Sequence, residues 1–416
     1  MVRVLGAFSL ACLQVHFGLA ATSSAPALVF IERISDPDLN YAAESRNYPE
    51  DPSTLFVTCR GGGFKVFDME STPGKLEAIG RWNSSLAVEG QDRLGNWLVV
   101  SELGIGPSGP FPGSSPKLHF FNVSLGLDVF APLASVDLSL FIDAILHVKF
   151  IVRGAETWCV CSGGFATSVS GAVVLVNVTH LLSKPQHWDP QDANGKVSVL
   201  STSVSQPEGV TVAPLDANIV YVGGISSKQL AVVNVADFFN PFVEQVRDKV
   251  GAQLVSASWK DQPHENEASS SSSFDPGLVF MSAWGRPGGL VIMDTAEGRS
   301  VDPVEVGRLT KASLSMSNRV KLAPWGGVAF LPLEEEVGGV AAVSFAVPSA
   351  SFSHEVNDAN FSSMVAHVPV SEFTKSGSLV TSTKAYCLAV SARRFVFLFI
   401  AETAAIYVYA VQEEGV

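Results

Sequence analysis

The chain has 416 residues, 47% of them hydrophobic and only 16% charged, so most segments must bury at least one face and a large core is available. A formal net charge of −13, with no Lys/Arg cluster to offset it, argues against nucleic acid as a partner, because phosphate backbones are held by basic stripes. The 35 Gly and 23 Pro are spread along the chain, which is the pattern of many turns between many short strands.

The first twenty residues read as a secretory signal. Arg3 supplies a basic start, Val4 to Leu19 is apolar, and Gly18-Leu19-Ala20 offers the small residues a signal peptidase requires. The apolar run, about 16 residues, is short for a membrane anchor. Phe395 to Ile400 is apolar but shorter still, and Glu402 follows it. The expectation is a secreted, extracellular protein without stable membrane insertion.

Residues 27–416 are read as a single domain. Ala27 to Ile34 is a strand with no hairpin partner nearby, and a polar stretch with Asp36, Pro37 and Asn47 to Pro52 follows it. Apolar strands separated by turn formers then recur: Thr54 to Arg60, Phe64 to Glu70 and Leu76 to Asn83 in a first unit, and Trp97 to Gly104, Lys117 to Ser124 and Pro132 to Ser139 in a second. A third unit spans Ala144 to Ser203, and a fourth runs from Pro207 to about Asp248, with Val210, Val212, Val220 and Val222 alternating at a period of two. Phe242 to Val250 also suits a short helix, although the repeat favours a strand. The fifth unit runs from Gln253 to Thr310 and carries a serine-rich loop at about 261–276, expected to be disordered. In the sixth, either Gly339 to Ala346 or Met364 to Glu372 is the third strand, with Ser378 to Lys384 as the fourth. The seventh, from Tyr386 to Ala410, is one strand short.

Asp68, Asn122, Asn177, Asn234 and Asp294 end successive third strands at spacings of about 55 to 60 residues. Continued to Tyr409, that phase leaves room for seven units. The missing strand of the last is supplied by Ala27 to Ile34, which removes an exposed edge. The predicted fold is all-β, a seven-bladed β-propeller closed by an N-terminal strand in the last blade. Each Asp or Asn of the series is expected to cap its own turn.

The phrases KVFDMESTPGKLEAIGRW (Lys65 to Trp82), LAVVNVADFFNPFVEQV (Leu230 to Val246) and GLVIMDTAEGRSVDPVEVGRL (Gly289 to Leu309) resemble the LVIVD-type repeat within the YVTN and WD40-like β-propellers. That resemblance implies the propeller architecture and little about activity, since such propellers host binding modules, lactonases, lyases and dehydrogenases alike.

Chemistry in a propeller is expected at the mouth of the axial channel, where the candidates are Glu89, Asp92, His147 and Glu208, with Arg319 and Lys321 as further inner-strand polar residues. Glu208, in Pro207-Glu208-Gly209, reads as an exposed turn carboxylate. His147 reads as a satisfied core histidine before it reads as a ligand. No G-x-S-x-G nucleophile elbow occurs, no histidine pair has metal-ligand spacing, and neither a metal nor a cofactor is expected. Cys59, Cys159, Cys161 and Cys387 read as small buried hydrophobes, with a Cys59 to Cys387 bridge as the alternative. The sequons at Asn83, Asn122, Asn177 and Asn360 are glycosylation candidates, Asn83 and Asn360 being the most loop-like. The expected function is a monomeric binding scaffold for an unidentified protein or small-molecule ligand. The alternative is a lactonase-type propeller hydrolase, with possible metal dependence.

Overall fold

The computed structural model describes residues 27–48, 50–104, 115–126, 130–164, 171–185, 196–224, 228–248, 254–258, 277–283, 288–295, 298–311, 319–324, 328–333, 339–344, 365–368, 385–401 and 403–412. Their strands form seven four-stranded antiparallel sheets. Within each sheet the chain runs outward from an inner strand. The inner strands of blades 1 to 7 are Ala42–Tyr48, Val88–Leu94, Ala144–Arg153, Pro207–Ala213, Leu254–Ser258, Lys321–Leu322 and Ala385–Val390.

Blade 7 takes its outer strand from the other end of the chain. Ala27–Ser35 pairs antiparallel with Ala405–Gln412, from Ala27 opposite Gln412 to Ser35 opposite Ala405, with one bulge between Phe30 and Glu32. The predicted closure is present, and the spare strand covers what would otherwise be an open edge.

The hydrophobic core is a ring. Among the described residues the buried apolar side chains fall into seven clusters, one between each pair of neighbouring blades. The third strand of blade 3, Gly171–Asn177, shows how a period-two backbone builds this. Ala172, Val174 and Val176 face blade 2, whereas Val173 and Leu175 face blade 4. Middle strands are therefore apolar at consecutive positions, because both of their faces are covered. Gly90 permits a close approach of inner strands, since a Cβ there would lie 2.7 Å from the His147 Cα.

The Asp/Asn series ends third strands as expected. Asp68 accepts from the Glu70 and Ser71 amides, Asn122 from Ser124, Asn177 from Thr179 and Asn234 from Ala236. The third and fourth strands of blade 6 are Gly339–Ser344 and Val365–Val368, so Met364 to Glu372 contributes a fourth strand. Ser378 to Lys384 and the serine-rich loop 261–276 lie outside the described residues. Phe242–Arg247 is a strand, the outer one of blade 4.

One expectation is corrected. The polar stretch before Thr54 contains Ala42–Tyr48, the inner strand of blade 1. Its sequence, AAESRNY, has no apolar alternation because its Glu44 and Arg46 face other charged groups at the axis.

Candidate functional site: the axial charge ladder

Inner strands have one partner strand and one open edge, and their side chains converge on the propeller axis. Here those side chains are charged and buried. Blade 1 contributes Glu44 and Arg46, blade 2 Glu89 and Asp92, blade 3 His147 and Lys149, and blade 6 Arg319 and Lys321. Contacts between non-adjacent blades show that they meet across the axis. The Glu44 Oε1 lies 3.0 Å from the His147 Nε2, joining blades 1 and 3, and the Arg319 Nη2 donates to the Glu89 Oε1 at 2.7 Å, joining blades 6 and 2.

The groups form three tiers. Nearest the face where the chain enters each blade, the Glu89 carboxylate is held by Arg60 (Nη2 to Oε1, 2.9 Å) and by Arg319. Arg60 also lies over the rings of Tyr41 and Tyr386, at 5.5 and 4.9 Å from their centroids. In the middle tier Glu44 is shared by His147, by Arg46 at 3.4 Å and by Arg319 at 3.7 Å. Toward the face of the tight inner hairpins, the Asp92 Oδ1 accepts from the Arg46 Nη1 at 3.0 Å and lies 3.6 Å from the Lys149 Nζ, while its Oδ2 accepts the Phe150 amide at 2.7 Å.

Burial and pairing set the protonation states. Burial works against the charge on Glu44, but His147, Arg46 and Arg319 outweigh it and hold the carboxyl well below its usual range. Burial lowers the His147 pKa despite Glu44, so the imidazole is neutral at pH 7. Its Nε2–H donates to the Glu44 carboxylate, and in that tautomer its Nδ1 accepts from the Val210 amide at 3.4 Å. Burial also opposes charge on Arg60 and Arg319, yet the neighbouring glutamates raise both above the ordinary arginine value. Lys321 differs: burial, reinforced by Arg46 and Arg319, pushes its ammonium down to about 7 against the pull of Glu44 and Cys387.

Of the four sequence candidates, Glu89 and Glu208 lie toward one end of the axis, His147 lies in the middle and Asp92 lies toward the other end. Glu208 is half-buried within the inner strand of blade 4 and acts electrostatically on Arg60 and Arg319, so it is not an exposed turn carboxylate. Glu44, Arg46, Arg60 and Lys149 are further members of the ladder. Lys149 carried a legible signal, standing two residues after His147 on the same strand. Arg60 carried none, because it follows a second strand and reaches the axis only through its length.

Among the described residues no group of three or more His, Cys, Asp or Glu side chains is placed to share a metal ion. The four cysteines among the described residues are buried free thiols. Cys59 and Cys387 share the cluster between blades 1 and 7 without a bridge, and burial pushes Cys387 up to about 12. Asn83 is exposed after the outer strand of blade 1, whereas the Asn122 and Asn177 carbonyls are already used within their turns. Asn360 lies outside the described residues. No helix among the described residues is long and apolar enough to cross a membrane.

No protein-family profile matches the chain, and no curated protein matches it. Among solved structures the chain is similar to one in the crystal structure of the mitotic checkpoint complex, at a TM-score of 0.55 and 13% identity, covering 99% of each chain. It is also similar to the Myceliophteria thermophila Cps50 (Swd1) β-propeller domain, at a TM-score of 0.58 and 8% identity, covering 93% of this chain and 100% of that one. At such identities the likeness is one of fold. The chain is a seven-bladed β-propeller with WD40-like structural neighbours.

Proposed function

We infer that this propeller is a secreted, glycosylated, monomeric binding scaffold that presents its two loop faces on a rigid ring. One observation carries the reading: Glu44, Glu89 and Asp92, three carboxylates buried on the axis, are each held by two or more cationic side chains and buried with them. Carboxylates held this way cement blades together. A catalytic acid or base needs a proton-transfer partner in the substrate, and these already point at arginine and lysine. One protein of similar fold is part of the mitotic checkpoint complex, which favours a protein partner for this chain as well. Secretion rests on the apolar Val4 to Leu19 stretch, and glycosylation on the exposed sequon at Asn83.

The test combines three measurements on protein expressed in a eukaryotic secretory host. Elemental analysis, with lactone and ester hydrolysis measured before and after chelation, is expected to give no bound metal and no turnover above buffer. Stoichiometric metal with chelator-sensitive turnover would overturn the scaffold reading in favour of a propeller hydrolase. Amino-terminal sequencing of the secreted product, with glycopeptide mapping, is expected to find a start near residue 21 and glycan on Asn83. Light scattering is expected to give the mass of one glycosylated chain.

A further inference from the structure

Five cations stand on the axial ladder: Arg46, Arg60, Lys149, Arg319 and Lys321. Four of them lie within 4 Å of a carboxylate, Arg46 and Lys149 at Asp92 and Arg60 and Arg319 at Glu89. Lys321 is the exception. It is only 5% exposed, yet among the described residues its ammonium has neither a carboxylate within 4 Å nor a hydrogen-bond acceptor.

The acids of the ladder are already engaged. The Glu44 Oε1 meets His147 at 3.0 Å and Arg46 at 3.4 Å, while its Oε2 accepts the Gln91 amide at 2.9 Å and faces Arg319 at 3.7 Å. Glu89 and Asp92 hold two cations each, and Glu208 acts on Arg60 and Arg319. Five cations therefore meet four carboxylates, with His147 neutral, and one positive charge is left over. It falls at Lys321. Val320 and Leu322 on either side of it pack toward blade 5, which turns Lys321 to the axis. Its strongest electrostatic neighbours there are Glu44 and Arg46 of blade 1, Arg319 on its own segment and Cys387 of blade 7. The two arginines repel the ammonium, and Glu44 attracts it only from beyond contact distance. A buried ammonium needs a counter-ion or gives up its proton, and burial, with the two arginines, takes Lys321 down to about 7.

We propose that the propeller axis carries an anion site at Lys321, taken by a small monovalent ion of the halide class that completes the charge balance of the ladder. One negative charge matches the cation left over, whereas a divalent anion would leave an excess of the opposite sign. A halide imposes no bond direction, which suits an ammonium with three rotatable donors. A planar carboxylate calls for a guanidinium fork, and both forks beside Lys321 are occupied, Arg46 by Asp92 and Arg319 by Glu89 and the Ala43 carbonyl. The site is independent of the scaffold reading, since it requires neither a protein partner nor secretion.

The experiment reads folding stability against salt and locates the ion directly. Urea unfolding of the full-length protein at about pH 6.5 compares sodium chloride with sodium gluconate, a bulky organic anion, from about 5 to about 300 mM. A chloride ion bound with a dissociation constant below about 50 mM raises the folding equilibrium constant by about fivefold or more over that range, beyond any rise in gluconate. The chloride gain is expected to disappear in Lys321→Met and in Lys321→Gln. It is also expected to shrink at about pH 9.5, where the Lys321 amine is neutral; its neighbours, an ionised Glu44, two arginines and a Cys387 thiol pushed up to about 12, do not titrate between the two conditions. Crystals of the wild-type protein grown in bromide are expected to show anomalous scattering in contact with the Lys321 Nζ. Bromide confined to the outer surface would overturn the proposal, whether or not the variants fold. So would an equal gain from gluconate, or an undiminished chloride gain in a folded variant at position 321.

Discussion

Glu44 and His147 stand 103 positions apart in the chain, yet their side chains meet at 3.0 Å on the propeller axis, where the inner strands of blades 1 and 3 face each other. Both are buried, and each depends on the other for a hydrogen bond. The closed ring alone brings them together.

This pair makes stability pH-dependent in a defined direction. Burial lowers the folded pKa of His147, so between that value and about 6.5 the unfolded chain binds more protons. Its contribution is complete above about pH 6.5 and falls as pH drops below it. Glu44 also has a depressed folded pKa, because its cationic neighbours outweigh burial; its contribution is complete above about pH 4.3 and falls as pH drops through the folded value. Urea midpoints measured from pH 8 to pH 3 should decline in two stages. His147→Gln should remove the upper stage, and an upper stage of unchanged size in that variant would show that another group causes it.

Lys321 should cost stability at neutral pH. Its folded pKa is pushed down to about 7 by burial, against about 10.4 in the unfolded chain, so stability rises with pH between those values. Lys321→Met, which keeps the length of the side chain without its charge, should raise stability at pH 7 by about 1–4 kcal/mol and flatten the slope above pH 7. Equilibrium denaturation at pH 7 and pH 9.5 measures both effects.

Arg319 ties three blades together. It donates to the Ala43 carbonyl at 2.8 Å and to Glu89 at 2.7 Å, and lies 3.7 Å from Glu44. Arg319→Met should destabilise by about 3–5 kcal/mol, because it strands buried acceptors. Arg319→Lys should recover little of that, since one ammonium cannot reproduce the fork. A double-mutant cycle with Glu89→Gln should give a coupling of about 1 kcal/mol or more; independent effects would mean that the pair does not act as a unit.

The closure strand should matter more than its half-exposed surface suggests. Phe30 packs at 6.1 Å from Tyr407 and 6.0 Å from Tyr409. Phe30→Ala should lower stability by about 1–3 kcal/mol. Deletion of residues 27–35 leaves Ala405–Gln412 as an open edge and should produce concentration-dependent aggregation, read by light scattering. A deletion variant that remains monomeric with an unchanged melting temperature would contradict this role.

Strands such as Gly171–Asn177 and Leu230–Asn234 were legible because both faces pack on neighbouring blades, which demands an unbroken apolar run, and because an Asp or Asn capping its own turn marks the end. Ala42–Tyr48 was not legible, because the alternation that reveals a strand requires an apolar face, and this strand presents Glu44 and Arg46 to an axis of charges. Part of the axial site could be read the same way. Glu89, Asp92, His147, Glu208 and Arg319 were visible as polar residues on inner strands, but their pairing was not, since Arg60 comes from the end of a second strand and Arg319 meets Glu89 from a blade far away in sequence.

Sequence alone determined the class of the molecule. Local periodicity, turn chemistry and a repeat phase of about 55 to 60 residues suffice for a closed ring with its first strand in its last blade, because each depends on neighbours within one unit or on the regular return of the next. Only the tertiary structure decided what the inward-facing charges do. Whether a buried carboxylate becomes a reactive group or a structural counter-ion depends on which cations reach it within about 4 Å, and across a propeller axis such a cation can come from a blade far away in sequence, as Arg319 does, 230 residues from Glu89.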